Sequence, residues 1–402
     1  MSRPLLYVAY PMKLDLGAAN AIQTYHTVRE LSRLVPGMRL VVPRWLLEKS
    51  AFSAVGALHL PRPAVNKLSR FVPWSGWSYI ERTLYSFMLV VLLLVWRLVG
   101  RGYRVIYVRD TVCAAWLSVL RPVHGACLLY EVHDLEASHP SKASKWPRAF
   151  WGRFLPWLDR VSLRGADRLV SLTSTFKEWL VTSGLRKAED VVVVPDGFAP
   201  PDSGYPSKGD ARRELGLPAG AFIVGYAGMT FAYRRLDLLM TAFAPLASHY
   251  KDALLLLVGG RPFEVLELRA QAERLGIDSE RTVTPGQVEH DRTPLYLAAS
   301  DVLAIPETVT QMTASPLKLF EYMAAGRAIV CKDMPALREI VDETSALFFS
   351  EGDFNALTAC LLRLKSDPIT RERLGEEAKR LSTRYTYRAR AERIAEVVAS
   401  CR

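Results

Sequence analysis

Short aliphatic and β-branched runs alternate along the whole chain with longer stretches in which apolar residues recur every third or fourth position. A continuous apolar run of roughly four to eight residues marks a strand buried on both faces, whereas the 3.6-residue period marks a helix with one buried side. Their alternation predicts βα units that build parallel sheets covered by helices. In the first half the pattern predicts strands at 5–10, 40–42, 105–108, 128–132, 168–172 and 191–194, which make one doubly wound sheet. After Pro195-Asp196-Gly197 the periodicity lapses over 200–210, a stretch rich in Pro, Gly, Ser and Asp, where a linker is expected. Strand-like runs resume at 222–226, 254–258, 302–305, 328–331 and 346–348 and predict a second sheet of the same kind. Beyond Pro368 the chain reads as helical, closing on an amphipathic helix over 387–399.

A chain of 402 residues exceeds what one hydrophobic core usually serves, so two domains are expected, divided near residue 203. Two open α/β sheets facing each other leave a cleft at the carboxyl ends of their strands, where ligands bind in such folds. With 50% hydrophobic and 23% charged residues the composition excludes a disordered or fibrous chain. The net charge of +11 favours an anionic partner: nucleic acid, lipid headgroups or a phosphorylated small molecule. No helix-turn-helix, zinc-finger or RNP-like pattern supports nucleic acid. The five cysteines, Cys113, Cys127, Cys331, Cys360 and Cys401, are scattered without a C-x-x-C pair, as expected of a reducing cytoplasm. The first residues read as a strand rather than a secretion signal. The most apolar run, 84–96, is shorter than the roughly 20 residues a membrane-spanning helix needs, so it is expected not to span alone.

The most informative stretch is Ser315-Pro-Leu-Lys-Leu-Phe-Glu-Tyr-Met-Ala-Ala-Gly326, preceded by a strand end at Ala304-Ile-Pro-Glu307. Pro316 suits a first helical turn and Gly326 a helix stop, so a helix is expected between them. Its N-terminus, with free amides and the positive end of the helix dipole, suits a diphosphate. Lys318 would add a cation there, and Glu321 could accept hydrogen bonds from a ribose diol. As isolated charges, both would more often be solvated surface residues.

The run resembles the signature of glycosyltransferase family 4, an E-x7-E element that ends in a Glu-Ala/Tyr-Met-Ala-x-Gly helix. The resemblance implies a GT-B fold: two Rossmann-like doubly wound domains, 1–203 on the acceptor side and 204–384 on the donor side, facing a cleft, with a helix over 385–402 returning to the first. It places the ribose-binding glutamate on Glu321 and the donor loop on Ser315, Pro316 and Leu317. The first glutamate of the element falls on Thr313, which can hydrogen-bond the transferred sugar but brings no negative charge.

Three further segments are similar to the family in order and spacing. Gly225-Tyr-Ala-Gly228 followed by Arg234-Arg235 resembles the strand, loop and basic residue that grip the donor diphosphate; the family usually has Lys-Gly where this chain has Arg-Arg. Arginine's planar fork matches phosphate oxygens. Gly259 and Gly260 resemble a glycine turn that lets a ligand approach closely. Val288, after Thr284-Pro-Gly-Gln, is the expected neighbour of the nucleotide base.

In the first half, Gly17 and Asn20 open a helix after the first strand and resemble the family's loop beside the donor phosphates and acceptor. Glu131-Val-His-Asp134 ends a strand; a histidine in that place resembles the family's sugar-binding residue, which points to His133 with Asp134 beside it. Arg109 and Asp110 end another strand and are expected on the acceptor side, although an Arg-Asp pair in a loop is as often structural. A basic, aromatic segment over 142–164, opening on Lys142 and closing on Arg164, carries Trp146, Phe150, Phe154 and Trp157 at helical spacing. Such a helix can lie in an anionic bilayer surface, or pack its aromatics on the sheet.

The resemblance therefore implies a retaining, metal-independent hexosyltransferase without a cofactor, whose donor is a nucleotide sugar and whose acceptor is a glycan or a lipid-linked glycan. The work would be done in the cytoplasm, at the inner face of the cell membrane, in cell-surface polysaccharide or glycolipid synthesis. Arg234, Arg235, Lys318 and His133 are the expected catalytic groups. The loss of the first glutamate leaves open a non-catalytic nucleotide-sugar-binding protein, and the fold alone would also admit an epimerase or a phosphorylase.

Overall fold

A computed structural model describes residues 3–11, 13–16, 18–72, 74, 76–138, 148–307 and 317–401. They pack as two units: Met1–Gly197 with Tyr387–Arg402, and Phe198–Met312 with Pro316–Thr386.

Among the described residues the first unit holds seven strands, β1 (Arg3–Val8), β2 (Arg39–Arg44), β3 (Leu58–Pro61), β4 (Tyr103–Val108), β5 (Cys127–Val132), β6 (Arg168–Ser171) and β7 (Val191–Val193). They pair in parallel in the order β3-β2-β1-β4-β5-β6-β7. Leu5, Tyr7, Leu129 and Val170 from the sheet share a core with Ala391, Ile394 and Val397 of the helix Tyr387–Ser400. The last helix is thus part of the first unit's core. Strand β3 escapes the sequence pattern because it lies on the sheet edge, has no buried residue and ends in a proline, which edges tolerate.

The helix Trp77–Leu98 corrects the expectation drawn from the 84–96 run. The polar residues Ser78, Glu81, Arg82 and Thr83 interrupt the apolar run but not the helix, which reaches 22 residues and is long and apolar enough to cross a membrane by length and composition. Its polar end is fastened inside the unit. Glu81 accepts hydrogen bonds from the Tyr10 hydroxyl (2.7 Å), Arg62 Nε (2.7 Å) and the Asn66 amide (3.1 Å), and Arg82 pairs with Asp110 (3.1 Å).

The second unit holds six strands among its described residues, β8 (Phe222–Ala227), β9 (Ala253–Val258), β10 (Thr282–Gly286), β11 (Val302–Ile305), β12 (Ala328–Lys332) and β13 (Leu347–Phe349). They are parallel in the order β10-β9-β8-β11-β12-β13. Buried Asp301 ties the entry to this unit to its sheet: it receives Arg212 (2.7 Å), Lys208 (2.9 Å) and the Ile223 amide (2.8 Å). Strand β10 is an edge strand containing Pro285, so its apolar signal is weak.

Candidate functional site

Strands β8 and β9 are neighbours, and each is followed at once by glycine. Gly228 has φ +141°, and Gly259 and Gly260 have φ +119° and +92°, values that side chains disfavour. A Cβ on Gly259 would stand 2.0 Å from the Gly228 carbonyl oxygen, so the two strand ends can touch only without one. The turns enclose a cavity of ≈ 410 Å³ whose wall includes Gly228, Thr230, Gly259, Gly260, Val288, His290 and Glu321.

Two cations stand at the Gly228 side. Lys318, in the second position of the helix Leu317–Ala324, projects back over the end of β8, and a Cβ on Gly228 would meet its Nζ at 2.6 Å. That ammonium nitrogen is buried, lies 3.7 Å from the Tyr226 ring centroid and has no hydrogen-bond partner among the described residues. Arg234 Nε is likewise buried and unbonded among the described residues, with its guanidinium 5.2 Å from the Tyr233 ring centroid. Burial, reinforced by the Arg234 charge, pushes the Lys318 amine well below the ordinary lysine range, and Glu321 only partly offsets them. A buried amine next to a half-buried guanidinium, neither with a bonded counter-ion among the described residues, forms a site prepared for an anion.

Glu321 follows Lys318 by one helical turn and faces the cavity. Burial raises its carboxyl, opposed by His290 and Lys318. Glu264 also lines the cavity and accepts the Arg261 amide (2.7 Å), Arg261 Nη2 (2.7 Å) and the Thr230 hydroxyl (3.1 Å). The Arg261 bonds chiefly hold its carboxyl down to about 2, so it is ionised and committed to shaping the loop.

The structure separates the two arginines. Arg235 adopts φ +54° as the residue capping the helix Leu236–His249 and pairs with Asp237 at 3.2 Å, with both side chains nearly half exposed. Its backbone takes the conformation that glycine favours. Of the expected pair, Arg234 is the one whose Nε is buried and whose charge acts on Lys318, whereas Arg235 is engaged by Asp237. Leu317 opens its helix and packs against the second unit's core. Thr313, Ser315 and Pro316 lie outside the described residues, as does Gly17.

In the first unit Arg109 and Glu131 are buried and meet His133. Arg109 donates from Nε to Glu131 Oε1 (3.0 Å) and from Nη2 to Gln23 Oε1 (3.0 Å), and its Nη2 lies 2.8 Å from His133 Nε2. His133 Nε2 is also 2.6 Å from Glu131 Oε1. Both contacts engage Nε2 and the side chain is 30% exposed, which leaves Nδ1 for a ligand. Arg390, from the last helix, reaches Glu131 Oε2 at 2.7 Å and donates to the carbonyls of Val194 (2.9 Å) and Pro195 (2.6 Å). Burial would raise the Glu131 carboxyl, but Arg390 and Arg109 outweigh it and hold it well below the ordinary range.

Asp110 does not stand free for an acceptor. Its carboxylate caps the helix Thr111–Val119 through the Cys113 amide (2.9 Å) and pairs with Arg82, because a strand that runs directly into a helix needs an N-cap there. Asp134 accepts from the Leu135 amide and the Ser138 hydroxyl, shaping the turn after β5. Asn20 is exposed in the first turn of the helix Ala19–Leu34, and its carbonyl accepts from Thr24. Of the basic, aromatic segment, 142–147 with Trp146 lies outside the described residues. The rest forms the helix Arg148–Gly165, in which Trp151, Leu155 and Leu158 are buried while Phe150 and Trp157 remain exposed.

Sequence reasoning missed Tyr226, His290, Glu264 and Arg390. Tyr226 and Glu264 act through strand-end and helix-start geometry that leaves no spacing signal. Arg390 was discoverable as a charge on the apolar side of an amphipathic helix.

Comparison with known proteins follows the same division. Residues 207–381 match the family model described as glycosyl transferases group 1. A D-inositol 3-phosphate glycosyltransferase from Xylanimonas cellulosilytica is 29% identical over 241 residues, covering 58% of this chain and 57% of the relative. The chain spans little more than half the length of the relatives it matches in sequence. Among solved structures, sucrose-phosphate synthase from Thermosynechococcus elongatus superposes with a TM-score of 0.73 at 19% identity, covering 98% of both chains. HepE from Anabaena in complex with UDP gives 0.72 at 18% identity, covering 98% of this chain and 99% of the other. These likenesses show the GT-B fold.

Proposed function

Residues 207–381 belong to the glycosyl transferases group 1 family, and on that premise we propose that this chain transfers a sugar from a nucleoside diphosphate to a glycan or lipid-linked acceptor, with retention at the anomeric carbon. The observation that carries the reading is the buried Lys318 Nζ beside the Gly228 end of a glycine-walled cavity, with the charge of Arg234 acting on it and its buried Nε likewise unbonded among the described residues. A diphosphate placed there receives both charges, and Glu321 is positioned for the ribose hydroxyls, with Val288 beside the base. The UDP bound in the HepE structure supports a nucleotide in this fold.

The chemistry is stabilisation of a leaving group. As the glycosidic bond breaks, negative charge grows on the β-phosphate oxygen, and preorganised cations in a shielded site reward that growth. The acceptor hydroxyl attacks on the face from which the diphosphate departs and gives its proton to the leaving phosphate oxygen. In the first unit, Arg109 and Glu131 hold His133 with Nδ1 open to a sugar hydroxyl. No cofactor or metal ion has a role in these steps. The setting is the cytoplasmic face of the membrane, where lipid-linked acceptors for cell-surface glycans are presented.

The test is a turnover assay with a panel of nucleotide sugars and membrane extract as the acceptor source. Acceptor-dependent release of nucleoside diphosphate supports transfer. Binding without release identifies a non-catalytic protein, while acceptor-independent sugar conversion or dependence on inorganic phosphate identifies an epimerase or a phosphorylase.

A further inference from the structure

The helix Trp77–Leu98 buries Tyr79, Tyr85, Leu89 and Leu93 in the first unit and leaves the opposite side uncovered. Leu84, Phe87, Val91, Val95 and Leu98 form that side, with Val91 61% and Leu98 77% exposed. Their spacing of three and four residues makes a single stripe along a helix about 33 Å long. The stripe continues sideways through packed rings. Phe87 lies 5.0 Å from Trp116 on the helix Thr111–Val119, and Trp116 lies 6.3 Å from Trp157 on the helix Arg148–Gly165. Phe154 and Phe150 extend the row at 5.8 and 5.2 Å. An apolar surface this continuous, on three neighbouring helices, calls for an occupant.

Charge identifies the occupant. The three helices contain two carboxylates, Glu81 and Asp159, and both are buried. The exposed charges described on these helices are all arginines: Arg97, Arg153, Arg160 and Arg164. An anionic bilayer presents one sign of charge around an apolar interior, which matches an apolar face whose exposed charges are all positive. Crossing the bilayer is not open to the long helix, because Glu81 and Arg82 bind it to Tyr10, Arg62, Asn66 and Asp110. We propose that the three-helix face seats the first unit flat on an anionic lipid surface, with the aromatic row at headgroup depth and the arginines against lipid phosphates. The proposal deepens the reading of a membrane-borne acceptor and rests on it for its purpose, but it moves the contact from the 142–164 segment alone to a face dominated by the long helix.

Flotation on sucrose gradients with vesicles of phosphatidylcholine containing phosphatidylglycerol, and with phosphatidylcholine alone, tests it. The full chain is expected to float with the anionic vesicles and to float less with the neutral ones. V91E/V95E should lower the floated fraction about tenfold, because two charges enter the apolar stripe. R153E/R160E should remove the preference for anionic lipid. Thermal unfolding and nucleoside diphosphate binding, measured on the same variants, should stay at wild-type values. That control separates a failed docking surface from a failed donor site. A wild-type chain that stays at the bottom of the gradient overturns the proposal, as do variants that float like the wild type. So does a dimer in solution that V91E/V95E splits, since the face would then belong to a second copy of the chain.

Discussion

The Lys318 ammonium nitrogen sits 3.7 Å above the Tyr226 ring, where a ring face is the nearest substitute for a counter-ion. Burial and Arg234 disfavour its proton, and an arriving diphosphate favours it. The amine is therefore more protonated with ligand than without, so binding takes up protons and affinity falls as the pH rises above the depressed value. Calorimetry of diphosphate binding in two buffers of different ionisation enthalpy measures the uptake. It should be positive in the wild type and lost in Lys318→Met.

Arg234 and Arg235 should part in experiment as they do in space. Arg234→Ala is expected to raise the donor KM and lower turnover, together about 2–4 kcal/mol of transition-state stabilisation. Arg235→Gly should leave donor kinetics nearly unchanged. It relieves a left-handed residue worth about 1–2 kcal/mol, offset by glycine's entropy of about 0.5–1 kcal/mol, so stability should rise by up to about 1 kcal/mol in denaturant unfolding.

Gly259→Ala places a methyl group 2.0 Å from the Gly228 carbonyl oxygen at φ +119°. Strain and overpacking together should cost about 2–5 kcal/mol and disorganise the cavity. Urea unfolding and diphosphate titration should both report it. Gly204→Ala, also at positive φ but with open space around its Cβ, should leave the titration alone.

Glu131→Gln leaves Arg109 and Arg390 without their shared counter-charge and should destabilise the protein by about 3–5 kcal/mol. The sign with pH is fixed by the depressed carboxyl. Its contribution is fully present above the unfolded carboxylate value, about 4.3, and is lost as the pH falls toward the folded one. The difference in stability between wild type and variant should therefore shrink on acidification below about pH 4.3.

Much of the fold was legible because buried parallel strands are continuous apolar runs: β8, β9, β11 and β12 match their predicted positions to within a residue or two. The edge strands β3 and β10 were not, since Pro61 and Pro285 and partial burial erase the pattern. At the site, the glycines at 228, 259 and 260 and the Lys318-Glu321 helix carried the signal, because close backbone approach and a buried cation restrict residue type. The different fates of Arg234 and Arg235 could not be read from two identical letters. Arg235 takes a left-handed torsion and turns to Asp237, while the Arg234 charge acts on Lys318.

The central claim is that Lys318 and Arg234 bind the diphosphate of a nucleotide. Its most direct measurement is thermal unfolding of the wild type and of Lys318→Met/Arg234→Ala with each common nucleoside diphosphate at saturating concentration. A ligand at about a hundred times its Kd adds about 2.7 kcal/mol to stability. At least one nucleoside diphosphate should raise the wild-type Tm by several degrees and leave the folded double variant unmoved. A double variant that keeps the full shift, or a wild type that responds to none of them, would contradict it.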